Sequence, residues 1–539
     1  MKKRIISYLL ASVAISFLFL LYAPFELLIN NTYDLWYNIY DIMKHMIPLF
    51  LVSSFALTFL CVVIDRLSRK VGTVILAGAF IVLLSSYIQG TFFSGALPAL
   101  DGRSIVWNDS LQRITSVVLF IAVSAAVVFL VYKTGSENFE KIVKYVSGFI
   151  LGMLLVSLVI LVVDSESYKK KDVLLPSDAE LFNMSEEENF IIFLLDAVDA
   201  EAYQTVCEVH PEYKEQFEDF TVFNNVISGY PYTSRSIPFI LSGEWYENKG
   251  EFSDYCEQVF KESSFFKRLD GLGYRKGFYC NDFWYVKCLK DLFVNISGTY
   301  DFKYPEKFVK MQIMMAGYRY FPYDLKRFCV LTPDDFYVDT LKTNGLGKEY
   351  DIDDDVFNER LAKSEITSSE EKCFKFIYIR GAHEPFHYPS QCKEIADNSY
   401  LSSVEKCMSI AENYIQKLKN ADVYENSVII FMADHGYVED DIAFGRQNPL
   451  LMVKGRNEKH DYLESDLPIS HEFLQGAYEK LLNGSSAEEA FTYGENYEPR
   501  RFLFYEFLRE RFIQEYYQYG YASDEKTMKE TGNTYVLGE

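Results

Sequence analysis

The chain has 539 residues, of which 49% are hydrophobic, 17% aromatic and 24% charged, enough apolar material for more than one compact core. Its net charge of −23 is unevenly spread: residues 1–164 carry +3 and the remainder −26. A soluble part this acidic repels phosphate backbones, which excludes nucleic acid as its natural partner.

Apolar stretches near 5–29, 46–64, 71–88, 115–132 and 146–163 each approach the roughly 20 residues that cross a bilayer. Five spans are expected. The first is too long for a cleaved leader and lacks a small-residue cleavage pattern, so it reads as an anchor. Lys2-Lys-Arg4 precedes it, Arg66, Arg69 and Lys70 follow the second stretch, and Lys133, Lys141 and Lys144 follow the fourth. With alternating spans these clusters share one side, the cytoplasmic one by the positive-inside rule, which leaves everything after Asp164 outside the cell. Lys169-Lys-Lys171 stands apart from that pattern and suits anionic head groups on the outer face. The expected division is a transmembrane domain at 1–164, a polar linker at 165–188, a catalytic ectodomain at 189–500 and a C-terminal extension at 501–539.

Within the ectodomain, Asn189–Leu195, Phe374–Ile379 and Ser427–Met432 are short apolar runs rich in Ile and Phe. Such runs predict buried, mostly parallel strands, and open sheets collect ligands at the carboxyl ends of their strands. Asp196 follows the first run, Arg380-Gly-Ala-His383 the second and Asp434-His435-Gly436 the third. Ser236–Gly243 predicts a short helix with Pro238 in its first turn, so that Thr233 lies just before an N-terminus that favours an anionic group. Alone, Asp-His-Gly is commonly a turn and the Thr-x-x-Ser-x-Pro run commonly a cap. Together they supply acids, a nucleophilic hydroxyl and an acid–histidine pair to one metal ion.

These residues resemble the membrane-bound sulfatase-like branch of the alkaline phosphatase superfamily, which includes lipoteichoic acid synthases and phosphoglycerol and phosphoethanolamine transferases. The resemblance implies an alkaline-phosphatase/sulfatase-like sandwich with a mostly parallel central sheet. It also implies a threonine nucleophile at Thr233 and one divalent cation held by Asp196, Thr233, Asp434 and His435. His383 in Gly-Ala-His-Glu-Pro would hold or protonate the transferred group. The pattern departs from those transferases in carrying Asp196 where Glu is usual. It also has no histidine about a dozen residues after Asp434-His435-Gly436, and Thr233-Ser-Arg is not the Cys/Ser-x-Pro-x-Arg context of true sulfatases. Sulfate-ester hydrolysis is therefore the weaker reading.

The resemblance implies transfer of phosphoglycerol or phosphoethanolamine from a membrane phospholipid to a glycan or teichoic-acid-like acceptor. A sulfatase-like hydrolase and a non-catalytic membrane receptor are the alternatives. Three oxygen donors and one nitrogen suit Mn²⁺ or Zn²⁺, with Mg²⁺ as a further candidate. Arg235 and Arg380 carry forks that match phosphate oxygens, or serve as structural ion pairs. Tyr230, Tyr232, Trp245, Tyr246, Phe386 and Tyr388 form an aromatic wall around the substrate or simply pack the core.

Eight of the nine cysteines lie beyond residue 164. An even number outside a membrane predicts up to four disulfides, Cys280 with Cys288 and Cys392 with Cys407 being the shortest pairings. Tyr350–Asp355 reads as an acidic surface loop within the weakly periodic stretch 334–371. Ser402–Lys419 predicts an amphipathic helix capped by Ser402 and Glu405, with Val404, Cys407, Ile410, Tyr414 and Leu418 facing the core.

Overall fold

A computed structural model describes residues 2–31, 35–94, 97–98, 100, 105–331, 341–343, 346–438, 445–493, 497–506 and 510–538. The chain divides into two compact units, Met1–Val173 with Asp301–Lys342, and Leu174–Tyr300 with Thr343–Glu539.

The first unit is helical because its sequence is apolar over long stretches. Helix α1 (Lys2–Phe17) runs through a π turn at Leu18–Tyr22 into α2 (Ala23–Asn30), followed by α3 (Ile39–Leu67), α4 (Arg69–Phe92) and α5 (Ser110–Asp164). Among the described residues, four helices are long and apolar enough to cross a membrane: Arg4–Asn30, α3, α4 and α5. The stretches 115–132 and 146–163, expected as separate spans, lie in the single element α5, which is broken by non-helical backbone at Gly135 (φ 70°, ψ 166°). Large apolar side chains such as Phe55, Val74 and Tyr132 are exposed on these helices, the surface that a lipid solvent would cover. Arg4 ties the bundle together, reaching Asp65 at 3.1 Å and Glu140 at 3.2 Å.

Unexpectedly, a segment from the middle of the chain belongs to this unit. Helix α8 (Pro305–Tyr320) sends Arg319 to the Glu26 carboxylate at 2.9 Å, and the Tyr320 hydroxyl donates to the same carboxylate at 2.8 Å.

The second unit is built on a seven-stranded sheet. In chain order its strands are β1 (Asn189–Leu195), β2 (Thr221–Phe223), β3 (Arg275–Tyr279), β4 (Cys373–Ile379), β5 (Ser427–Met432), β6 (Leu451–Lys454) and β7 (Leu463–Ser465). They lie in the order β7-β2-β6-β5-β1-β4-β3. Only β6 runs against the others. Every residue of β1 and β4 is buried, as continuous apolar runs require when helices cover both faces. Phe193 of β1 sits at the centre, its ring 5.2 Å from Phe357, 5.2 Å from Tyr414 and 5.5 Å from Phe431.

Helix α6 (Ala200–Val209) follows β1, α7 (Thr233–Ser242) precedes β3, and α9 (Tyr400–Asn420) feeds β5. Val404, Cys407, Ile410, Tyr414 and Leu418 of α9 are buried. The cap of α9 falls earlier than the spacing indicated, with Ser399 and Ser402 exchanging backbone bonds. The acidic stretch is also more ordered than a surface loop: Asp353 caps a helix at Asp354–Lys363 that buries Phe357 and Leu361. Residues 334–340 and 344–345 of that stretch lie outside the described residues. Leu174, Leu181 and Met184 of the polar connector join the sheet's core. The C-terminal segment forms its own antiparallel sheet, β8 (Arg500–Phe504), β9 (Phe512–Gln518) and β10 (Met528–Val536). The expected disulfides are absent, since all nine cysteines are unpaired. Cys407 is turned into the core of α9 while Cys392 stays half-buried on a loop.

Candidate metal and nucleophile site

Two strand ends and one helix start converge. Asp196 follows β1 and Asp434-His435 follow β5, the neighbouring parallel strand, so the paired register brings both carboxylates to one rim. All three side chains are buried, and their donor atoms lie within 4.8 Å of one another. His435 Nε2 stands 3.7 Å from Asp196 Oδ1 and 3.5 Å from Asp434 Oδ2. Its Nδ1 meets the Gly436 carbonyl at 2.7 Å, which places the ring proton there and turns the Nε2 lone pair toward the acids.

Thr233 enters from the helix side. Its hydroxyl donates to Asp196 Oδ1 at 3.5 Å. Helix α7 begins at Thr233, three residues earlier than predicted, with Tyr232 as its cap and Gly243 closing it in the left-handed conformation (φ 75°). Pro238 consequently falls in the second turn. The hydroxyl thus sits at the positive end of a ten-residue helix.

Two buried carboxylates share this rim. Burial, reinforced by the neighbouring Asp434 charge, holds the Asp196 carboxyl well above its usual range despite a 2.6 Å bond from the Tyr378 hydroxyl. Burial also pushes the His435 imidazole down to about 4, keeping it neutral and able to ligate. Asp434 Oδ1 accepts from the Ala197 N–H at 3.2 Å, but its buried Oδ2 has no hydrogen-bond partner among the described residues. An orphaned buried carboxylate oxygen is costly. A divalent cation satisfies it, and the Asp/Asp/His/Thr donor set fits a hard or borderline ion.

The remaining expected residues divide. His383 lies after β4, half-buried, with Nδ1 at 2.6 Å from the Glu384 carbonyl. Its charge is among those acting on His435. Arg380 directs its charge to Asp351 and Asp354. Arg235 is buried, bonded to the Glu510 carbonyl at 3.0 Å and seated 4.1 Å over the Tyr505 ring. Its Nη2 is held by these internal partners, while its buried Nη1 has no hydrogen-bond partner among the described residues. Of the aromatic wall, Tyr232 faces the site, its ring centroid 6.3 Å from that of His435. Tyr230 and Trp245 instead pack beneath α7 on Phe239. No further histidine falls at 437–447, of which 439–444 lie outside the described residues.

Sequence reasoning missed four groups. Tyr378, the next-to-last residue of β4, donates to Asp196, and strand alternation could have pointed it to that face. Asp282, just beyond β3, adds a third negative charge acting on Asp196. Arg446 stands 5.0 Å over the Tyr232 ring, with its carbonyl bonded to the Gly436 N–H at 2.7 Å. Asp354, fully buried, accepts from the Gly381 N–H at 3.0 Å and so fixes the turn that leads to His383.

Burial pushes the Asp354 carboxyl up to about 7. Because this lies above the unfolded value of about 4, raising the pH between the two ionises the unfolded chain first and removes stability. Asp354→Asn keeps the acceptor without the charge. Its advantage over the native protein in thermal melts should grow from about pH 4 to about pH 7, whereas Asp354→Ala, leaving the N–H unpaired, should lose about 1–3 kcal/mol.

The fold and site together define an α/β protein with an Asp/Asp/His cluster of metal-type donors beside a threonine hydroxyl at a helix N-terminus. The sequence profile of the Sulfatase family matches residues 188–474, just over half of the chain, a range that includes Asp196, Thr233, Asp434 and His435. The chain belongs to the Sulfatase family. No curated protein matches it by sequence. Solved structures similar to it include Ps i-CgsB in complex with k-i-k-neocarrahexaose, at 14% identity and a TM-score of 0.43 over 62% of this chain and 82% of that one. Another is the C-terminal periplasmic domain of EcEptC from Escherichia coli, at 14% identity and a TM-score of 0.35 over 61% and 91%. A third is the phosphonate monoester hydrolase SpPMH from Silicibacter pomeroyi, at 10% identity and a TM-score of 0.37 over 64% and 88%.

Proposed function

We propose that the protein transfers a phospho-substituent, phosphoglycerol or phosphoethanolamine, from a membrane phospholipid to a hydroxyl of a cell-envelope glycan or polymer. The observation that carries this reading is the Thr233 hydroxyl at the Asp196, Asp434 and His435 cluster. The apolar N-terminal helices keep that domain attached to the bilayer that holds its donor. The two limbs of α5 on either side of Gly135 supply the fourth and fifth of five spans, with the catalytic domain outside the cell.

Asp196, Thr233, Asp434 and His435 would hold one divalent cation, Mn²⁺, Zn²⁺ or Mg²⁺. When bound, it lowers the pKa of the Thr233 hydroxyl and neutralises charge on the phosphoryl oxygens. Thr233 Oγ forms a bond to phosphorus as the phosphorus–oxygen bond to diacylglycerol breaks, and diacylglycerol leaves as the alcohol by taking up a proton. The N-terminus of α7 faces the anionic group throughout. An acceptor hydroxyl then attacks phosphorus, loses its proton and restores the Thr233 hydroxyl. His383, its Nδ1 fixed by the Glu384 carbonyl, has Nε2 left to carry that proton. Arg446 supplies a guanidinium for the substituent's oxygens.

The test is diacylglycerol release from fluorescent phosphatidylglycerol and phosphatidylethanolamine by the full-length protein with Mn²⁺ or Zn²⁺. Release from one lipid that rises when an acceptor glycan is added supports transfer and identifies the donor. Turnover of a soluble phosphodiester or sulfate ester, with neither lipid consumed, would identify a hydrolase instead.

A further inference from the structure

A second group of metal-type donors lies away from the Thr233 rim, where α6 ends against α9. His210 is the C-cap of α6, Glu405 belongs to the second turn of α9, and Cys392 sits on the loop before that helix. Donor atoms of the three lie within 4.8 Å of one another, and Glu405 is only 1% exposed. His210 Nε2 is 2.6 Å from Glu405 Oε1, and Cys392 Sγ is 3.6 Å from the same oxygen. Glu405 Oε2 accepts from the Gln391 N–H at 3.3 Å. On the far side of the ring, His210 Nδ1 meets Glu212 Oε1 at 3.0 Å.

A buried histidine–glutamate pair alone needs no thiol. Here a sulfur, an imidazole nitrogen and a carboxylate oxygen face one point, and the outer ring nitrogen is held by another carboxylate. That outer bond is how ligating histidines are usually oriented. The mixed sulfur, nitrogen and oxygen set selects a borderline-soft ion over Mg²⁺ or Ca²⁺. Tetrahedral ligands at zinc bond lengths stand about 3.3–3.8 Å apart, which the Cys392–Glu405 separation already meets. The shorter His210–Glu405 distance is a hydrogen bond that a cation would replace by an opening of less than about 1 Å.

We propose that His210, Cys392 and Glu405 form a second, structural site for Zn²⁺, with Glu212 orienting His210. Binding exchanges the Cys392 thiol proton and the His210 Nε2 proton, now donated to Glu405, for the metal. The ion would join α6, α9 and the loop between them. That loop leaves the rim at His383 and ends at Tyr400, whose hydroxyl donates to the Ala197 carbonyl at 2.8 Å beside Asp196. The site therefore staples the segment that presents His383, and this holds whatever reaction the rim performs.

Cobalt separates the two sites, because only this one offers a thiolate. Full-length protein stripped of metal and refilled with Co²⁺ should show a near-ultraviolet thiolate-to-cobalt charge-transfer band that vanishes in Cys392→Ser and survives in Asp434→Asn. Absence of the band, or its persistence in Cys392→Ser, overturns the proposal. A measurement on the unmutated chain guards against misfolding of the variant. Alkylation of Cys392, followed by peptide mass mapping, should be at least about ten-fold slower with Zn²⁺ than with chelator. Equal rates overturn the site.

Discussion

Replacing Thr233 by alanine should reduce turnover by about four orders of magnitude or more while leaving the rim's cation bound. The hydroxyl sits 3.5 Å from Asp196 Oδ1 at the first residue of α7. Neither serine of the first turn substitutes for it: Ser234 is exposed and Ser236 points back to the Tyr230 carbonyl at 3.2 Å. Removing the nucleophile leaves two carboxylates and an imidazole to hold the ion, so metal content should fall little. Thr233→Ser keeps the oxygen and should retain measurable activity. Asp434→Asn separates the roles in the opposite direction, because it weakens the anionic donor whose Oδ2 otherwise has no partner. That variant should lose both metal and turnover. The measurements are initial rates, bound metal per chain and mass detection of a Thr233 peptide carrying phosphoglycerol or phosphoethanolamine after rapid quenching. Undiminished turnover in Thr233→Ala would falsify the covalent route.

Much of the rim was legible because its strands announce themselves. Asn189–Leu195 and Ser427–Met432 have the observed bounds, since an uninterrupted apolar run has few places to begin or end. Strand β3 escaped notice because Arg275-Lys-Gly277 opens it with polar and flexible residues, and with it Asp282 went unseen. Arg235 shows the converse limit. A guanidinium two residues from Thr233 looks like a phosphate ligand in sequence, but about half a turn of helix carries it onto Tyr505. Helix α7 started early because Tyr232, with no capping side chain, nevertheless takes the extended cap conformation. The disulfide reading failed for a different reason: sequence spacing says nothing about whether two thiols face each other. The association of 301–342 with the helical unit was likewise hidden, since it depends on Glu26 meeting Arg319 across 293 positions of sequence.

Gly381→Ala should be the most damaging single-methyl change in the second unit. Gly381 has φ +63°, where an alanine is disfavoured by about 1 kcal/mol. The larger problem is space. An added Cβ would lie 2.5 Å from the Asp196 N and 2.7 Å from the Asp196 O. Both are backbone atoms at the carboxyl end of β1, so no side chain can swing aside. Two bonds lock the approach: the Asp196 N–H donates to the Ile379 carbonyl at 3.4 Å, and the Ala382 N–H donates to the Asp196 carbonyl at 2.9 Å. A third, from the Gly381 N–H to Asp354, holds the turn from outside. Relief requires β4 to part from β1 at the point where Asp196 is aimed. The expected loss is about 3–5 kcal/mol, strain and broken bonds together. Because the displaced residue is a proposed ligand, cation affinity should fall with stability. Thermal melts with and without added Mn²⁺ check this: the metal-induced rise in Tm should shrink in Gly381→Ala, and an undiminished rise would show that the close approach at Asp196 does not govern the site.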